Sequence, residues 1–187
     1  MIEFPNSLHV GETRSALVAS LAYHPTARLT FQLAAGGTLG GRLESPIGNQ
    51  DFSSGLAAAV GASYRVVSMP RAFAVLTGNF SFSRETTTLA GMNGTPDVTA
   101  RYQAFDLRLG ALVGTTLWKV LSPYAVGRVF GGPVMWTYQG SSVTGTDAHH
   151  YQLGAGATVL LARRFSVFVE GIPLGERSVS AGAAFAF

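Results

Sequence analysis

Apolar residues along this chain fall on every second position. From Arg28 to Leu43 the odd positions read Leu29, Phe31, Leu33, Ala35, Gly37, Leu39, Gly41 and Leu43, and the even ones Thr30, Gln32, Ala34, Gly36, Thr38, Gly40 and Arg42. A period of two marks a β-strand with unlike faces, and this run is longer than the usual soluble strand of about 5–6 residues. The alternation recurs over 14–24, 55–67, 72–84 and 149–161. Over 101–115 it sets Phe105, Leu107, Leu109, Ala111 and Val113 opposite Tyr102, Asp106, Arg108 and Gly110. The chain ends on Val179, Ala181, Ala183, Phe185 and Phe187. The pattern predicts an all-β chain.

Alternating strands suit a soluble sandwich with the apolar face inward or a membrane barrel with it outward. Three features favour the membrane. The polar faces carry Gly, Ala, Ser, Thr and Gln, where a water-facing sheet normally carries Lys and Glu. The segments are long enough for the roughly 9–11 residues of a tilted membrane strand. Aromatic residues gather at both segment ends: Tyr23, Tyr64, Tyr124 and Phe187 at one, Phe82, Trp136, Tyr138 and Tyr151 at the other. Such a pair of girdles belongs to a barrel in lipid.

Composition agrees. The 187 residues include 23 glycines, no cysteine and 12% charged residues, with 47% apolar and a mean hydropathy of +0.27. This is too apolar for disorder and too poor in Lys and Arg to coat a nucleic acid. The lack of cysteine excludes a disulfide scaffold and thiolate zinc sites. The longest evident apolar run, from Leu56 to Val60, stops at Gly61, far short of the ~18–20 residues of a transmembrane helix. Length allows one domain, 1–187. Met1-Ile2-Glu3-Phe4-Pro5 has no signal-peptide character, so an exported chain is expected in its mature form.

Connections alternate in length. His24–Ala27, Ser68–Arg71, Thr116–Leu121 and Ala162–Arg164 are short; Glu44–Ser54, Glu85–Ala100 and Gln139–Ala148 are long. Outer-membrane barrels have short periplasmic turns, longer external loops and an even strand number. Pro173–Arg177 divides the C-terminal stretch, so 14–187 supplies nine strands. Closure requires a tenth, since an open edge in lipid leaves backbone groups unsatisfied, and 2–10 is the candidate. The expectation is a transmembrane antiparallel up-and-down β-barrel of ten strands, with eight as the alternative. Arg128 falls on the lipid-facing phase unless a bulge at Gly127 or Gly131-Gly132 turns it.

The chain thus resembles the small outer-membrane β-barrel proteins of Gram-negative bacteria. The resemblance spans the chain through its strand pattern, and its sharpest element is the alternating terminus from Val179 to Phe187. It implies an outer-membrane location, with lipid and lipopolysaccharide as surroundings. It also implies that the outer-membrane assembly machinery reads the last strand, with Phe185 and Phe187 as its signal. Another envelope protein is a further candidate partner; no cofactor and no nucleic acid is expected.

Charges add detail. Glu12, Glu44, Asp51, Glu85, Asp97, Asp147 and Glu176 fall in the external loops by this reading. Arg14, Arg42, Arg84, Arg101 and Arg177 flank those loops and are candidates for gripping lipopolysaccharide phosphates, or are simply solvated strand ends. Small residues such as Gly36, Thr38, Ala57, Asn79, Gly154, Gly156 and Gly182 face the lumen, together with Asp106, Arg108, Arg65 and Glu170. These four charges form either the constriction of a narrow, porin-like pore for small polar solutes or ions, or an internal plug. Asp147 with His149 and His150 resembles half of the omptin protease site, but paired acids on another loop are missing. The chain is therefore not expected to be an enzyme. Adjacent histidines on a strand point to opposite faces, so no metal site is expected.

Overall fold

The computed structural model describes residues 2–5, 8–45, 48–89 and 97–187. Its strands, in chain order, are β1 (Ile2–Phe4), β2 (Leu8–Tyr23), β3 (Leu29–Ser45), β4 (Gly48–Phe52), β5 (Gly55–Ser68), β6 (Ala72–Leu89) and β7 (Val98–Thr115). There follow β8 (Leu121–Gly131), β9 (Pro133–Tyr138), β10 (Ser141–Asp147), β11 (Tyr151–Ala162), β12 (Phe165–Gly175) and β13 (Ser178–Phe185). All belong to one antiparallel sheet, and no helix occurs among the described residues beyond a single 3-10 position at Pro5.

Pairing divides the molecule into two levels. At one end β1, β2, β3, β4, β6, β7, β9 and β10 close a ring of eight strands, with β4 joining β3 to β6. From β7 the sheet also continues through β8, β11 and β12 to β13, which pairs with β12 alone. At the opposite end the short connections gather, and nine strands stand side by side from β2 to β13. We call this second level the belt.

The two levels are packed inside out with respect to each other. In the ring, Ile2, Phe4, Val10, Leu43, Phe52, Tyr102, Ala104 and Val134 form one buried cluster, with Trp136 against it. Phe52 meets Tyr102 edge-on at 5.0 Å between ring centres. In the belt, Leu17, Leu21, Leu33, Leu56, Leu76, Leu109, Val113 and Leu161 are exposed. Their opposite faces carry small residues that admit a large neighbour. A methyl group on Gly156 would lie 2.6 Å from Tyr124 Oη, and one on Gly182 would lie 2.6 Å from the Phe168 ring.

Three strand paths invert their facing where ring meets belt. On β3, Thr38 is buried, Leu39 is exposed, and Leu43 is buried again. Between them Arg14 pairs with Gly41 and Ala16 with Thr38, so β3 holds one extra residue there. Gly40 takes φ = 97° at this bulge, a conformation L side chains resist. The path from β4 to β5 inverts at Ser53–Ser54: Phe52 is buried and Leu56 exposed. Asp147 on β10 and Gln152 on β11 both line the interior despite opposite parity, because residues 148–150 interrupt that path.

These features correct several expectations. The odd face from Leu29 does not run unbroken to Leu43; it ends at the Gly40 bulge. The three long connections are mostly strand, supplying the ends of β3, β6 and β7 together with β4 and β10; parts of the first two, 46–47 and 90–96, lie outside the described residues. Thr86, Thr87, Thr88, Thr99, Ser141, Ser142, Thr144 and Thr146 among them pair across the sheet instead of forming loops. Residues 2–10 are not one strand: Ile2–Phe4 pairs with β2 and β10, while Leu8–Val10 opens β2. Tyr124 and Trp136 leave the girdles, since Tyr124 bonds Glu170 and Trp136 donates to Thr87 Oγ1 at 3.0 Å. Arg128 is interior with no bulge, because β8 turns Tyr124, Val126, Arg128 and Phe130 to one inner face.

Candidate functional site: the charged interior

Three arginines organise the interior. Arg14 on β2 holds Glu12 Oε1 at 2.8 Å and Glu85 Oε1 at 3.4 Å, and donates to Ser83 Oγ at 2.8 Å. Tyr102 Oη donates to Glu12 Oε2 at 2.8 Å. These positions share a face because Glu12 and Arg14 are two apart on β2, as are Ser83 and Glu85 on β6. Arg108 is bonded to Asp106, two residues away on β7, and reaches Glu176 Oε2 at 3.0 Å and Gln152 Oε1 at 3.3 Å. Gln152 Nε2 in turn donates to Glu176 Oε2 at 2.8 Å, and the guanidinium lies 4.9 Å from the Phe130 ring centre. Deeper in the belt, Arg128 clasps both Glu170 oxygens at 2.8 and 2.9 Å, and Tyr124 Oη donates to the same carboxylate at 3.2 Å. Two-point clasps of this kind are the strong form of the ion pair.

Between the Arg14 and Arg108 groups lies a cavity of about 240 Å³ lined by Glu12, Arg14, Thr38, Asp106, Asp147 and Glu176 among others. Acids outnumber arginines in this interior: Glu12, Glu85, Asp106, Asp147, Glu170 and Glu176 against Arg14, Arg108 and Arg128. Burial first, then Glu176, Asp106 and Glu12, pushes the Asp147 carboxyl up to about 6.

Of the four charges expected in the lumen, Asp106 and Arg108 meet directly. Glu170 faces inward but pairs with Arg128, and Arg65 is exposed and joins no ion pair among the described residues. Glu12, Glu85, Asp147 and Glu176, assigned to external loops by sequence, turn inward. For Glu12, Glu85 and Asp147 the signal was present, since each follows the inner phase of its own strand once the ring strands are recognised as strands; Glu176 lies between β12 and β13, where no strand phase applies. Arg14 leaves the set of flanking arginines for the interior. Arg42, Arg84, Arg101 and Arg177 are exposed, and Arg42 lies 3.5 Å from Asp51. Arg84 and Arg101 are diagonal neighbours on β6 and β7, just beyond the apolar belt. Phe185 ends β13 with its side chain exposed, as is Phe187 beyond it.

The Asp147 and His149 pair does not form. Asp147 lines the cavity, whereas His149 is exposed and lies edge-on to Tyr151 at 6.4 Å. No group of three or more His, Asp or Glu among the described residues has the geometry to hold a metal ion. Protein-family models, curated proteins and solved structures contain no match to this chain.

Proposed function

We propose that this chain is an integral β-barrel of the Gram-negative outer membrane, with its belt in lipid, its ring on the external side, and a lumen closed to solutes. One observation carries this: the ring encloses an apolar core, while the belt turns its apolar side chains outward. A sheet that is apolar outside over about one membrane thickness and apolar inside beyond it matches two solvents, lipid and water. Arg42, Arg84 and Arg101 stand where the two meet, at the height of lipopolysaccharide phosphates. The exposed Val179, Ala181, Ala183 and Phe185 face of β13 is what the assembly machinery reads in this scheme.

Closure of the lumen is favoured over the narrow pore by the same core. A solute entering from the ring end meets the packed cluster of Tyr102, Leu43 and Val134, and Glu12, Arg14 and Glu85 beside it and Asp106, Arg108 and Glu176 beyond it are already bonded to one another. The barrel then acts as a structural or surface-interaction protein of the envelope, presenting the polar outer surface of its ring. Two measurements test this. Unheated and boiled samples migrate differently in detergent gels if the barrel exists; identical mobility overturns it. Planar bilayers containing the chain stay silent at all voltages; steady single-channel steps, with selectivity altered by Asp106→Asn and Glu170→Gln, restore the pore.

A further inference from the structure

The turn end carries a patch of unopposed positive charge. Three short turns lie side by side there. Thr116 N donates to Arg71 O at 3.0 Å, which sets the β5–β6 turn against the β7–β8 turn. Leu160 N donates to Val120 O at 2.8 Å, which sets the β7–β8 turn against the β11–β12 turn. Arg71, Lys119, Arg163 and Arg164 stand on these turns, all exposed, and join no ion pair among the described residues. No Asp or Glu occurs in 69–71, 116–120 or 162–165. The nearest acid along these strands, Glu170, is already clasped by Arg128.

The middle turn is built at a cost. Val120 N donates to Leu117 O at 3.1 Å, and both residues between them take positive φ, 50° at Trp118 and 62° at Lys119. Turns with two positive φ angles normally recruit Asn-Gly, because a Cβ resists that conformation. Here the turn lifts a tryptophan clear of the barrel: Trp118 is 81% exposed, and Met69 on the neighbouring turn is 66% exposed. Strain kept where the displayed side chain packs against so little of the barrel points to a role outside the fold.

The height of the patch selects its partner. Leu161 is exposed two residues before Arg163, and Val120 is exposed beside Lys119, so the cations begin where the apolar surface ends. In a bilayer that is the headgroup level, where tryptophan settles with its ring against the hydrocarbon and its N–H in water. Bases at that level meet phosphodiesters. A soluble polyanion would need the four charges but not the exposed Met69 and Trp118 beside them. We infer that these three turns form a binding surface for anionic phospholipid headgroups, with Trp118 seated at the interface and Arg71, Lys119, Arg163 and Arg164 holding the phosphates. The inference rests on the belt lying in lipid, and it puts a headgroup site in the leaflet opposite the one that Arg42, Arg84 and Arg101 meet.

The test places the whole chain in phosphatidylcholine vesicles that contain a minor share of phosphatidylglycerol. Bromine is carried on the acyl chains of the same mole fraction of one lipid or the other. Quenching of Trp118 is read after subtracting a Trp118→Phe variant, which retains the Trp136 signal. Brominated phosphatidylglycerol quenches more than brominated phosphatidylcholine, by an enrichment of about fivefold or more, the share of a single surface base. Lys119→Gln with Arg163→Gln and Arg164→Gln brings that ratio to one, and the gel shift on boiling shows that this variant folds. Lys119→Gly removes a base and relieves the strained φ, so it lowers the ratio while raising the urea midpoint in uncharged micelles. A midpoint that rises with the ratio unchanged overturns the inference, as does equal quenching by both lipids in the unaltered chain. Inorganic polyphosphate that shifts Trp118 emission while the lipid ratio stays at one assigns the patch to a soluble polyanion instead. Leu33→Trp made on Trp118→Phe separates the two ideas. Its quenching by brominated lipid beside a ratio of one removes the headgroup site alone, whereas no quenching removes the membrane placement and the site with it.

Discussion

Ring and belt are built from the same strands, yet they solve opposite packing problems. β6 runs through both: its inner face carries Thr77, Asn79 and Ser81 in the belt, then Ser83, Glu85 and Thr87 in the ring, without a break in register. β3 cannot do the same, because its large residues sit on one parity throughout. It must turn over at Gly40, leaving Leu33 61% exposed and Leu43 fully buried. Alternation alone does not say which face is inside. That is decided by what the strand's neighbours leave open, and one bulge residue resets it.

The strongest way to break the contrast is to unpair an interior charge. Arg128→Leu leaves Glu170 without its clasp at 11% side-chain exposure, and removing one partner of a buried pair costs about 3–5 kcal/mol. Arg42→Leu, at an ion pair more than half exposed, costs under about 1 kcal/mol. Urea unfolding in detergent micelles compares the two, and equal losses would erase the distinction between interior and rim.

Next come matched truncations. Leu43→Ala opens a void in the ring core and costs about 2–5 kcal/mol. Leu33→Ala on the exposed face of the same strand leaves no void and costs clearly less in the same unfolding series. A reversed order would mean the ring core is not a core.

A smaller effect is expected at the hinge between the levels. Gly40→Ala puts a Cβ 3.1 Å from Phe52 O at a φ that disfavours it, with a loss of about 1–2 kcal/mol. Gly171→Ala, where a Cβ meets nothing within 4 Å, is the control.

The last effect concerns pH. Asp147 ends β10 in the ring, outside the belt, and its carboxyl stands at about 6 against an unfolded value near 3.9. The native state therefore holds this proton more tightly, so its contribution is full below about 4 and is lost as pH rises through 6. Asp147→Asn flattens the stability profile between those values and raises stability above them. An unchanged profile would show that Asp147 is not the group responsible.

Much of this architecture was legible because period two is a local property. The existence of the nine belt strands, the tight turns at 69–71 and 163–164, and the break at Glu176–Arg177 follow from alternation and its interruptions. Asp106 and Arg108 were legible as interior for the same reason, since they share a strand and a parity. What escaped was the role of polar strands. Thr86-Thr87-Thr88 and Val143-Thr144-Gly145-Thr146 read as loop because they are polar, yet they pair in the sheet once neighbouring strands extend alongside them. Arg128 escaped because Val126 and Phe130, its companions on β8, are apolar residues that face inward.

The sequence by itself determined the belt strands, their alternation and the surplus of glycine, all carried by neighbours along the chain. Only the tertiary structure decided which parity faces inward at each height, which carboxylates meet which arginines, and where the sheet is left open. Those depend on pairing between segments far apart in sequence: β1 lies between β2 and β10, and Arg128 meets Glu170 across β11. Parity within a strand says nothing about the strand beside it.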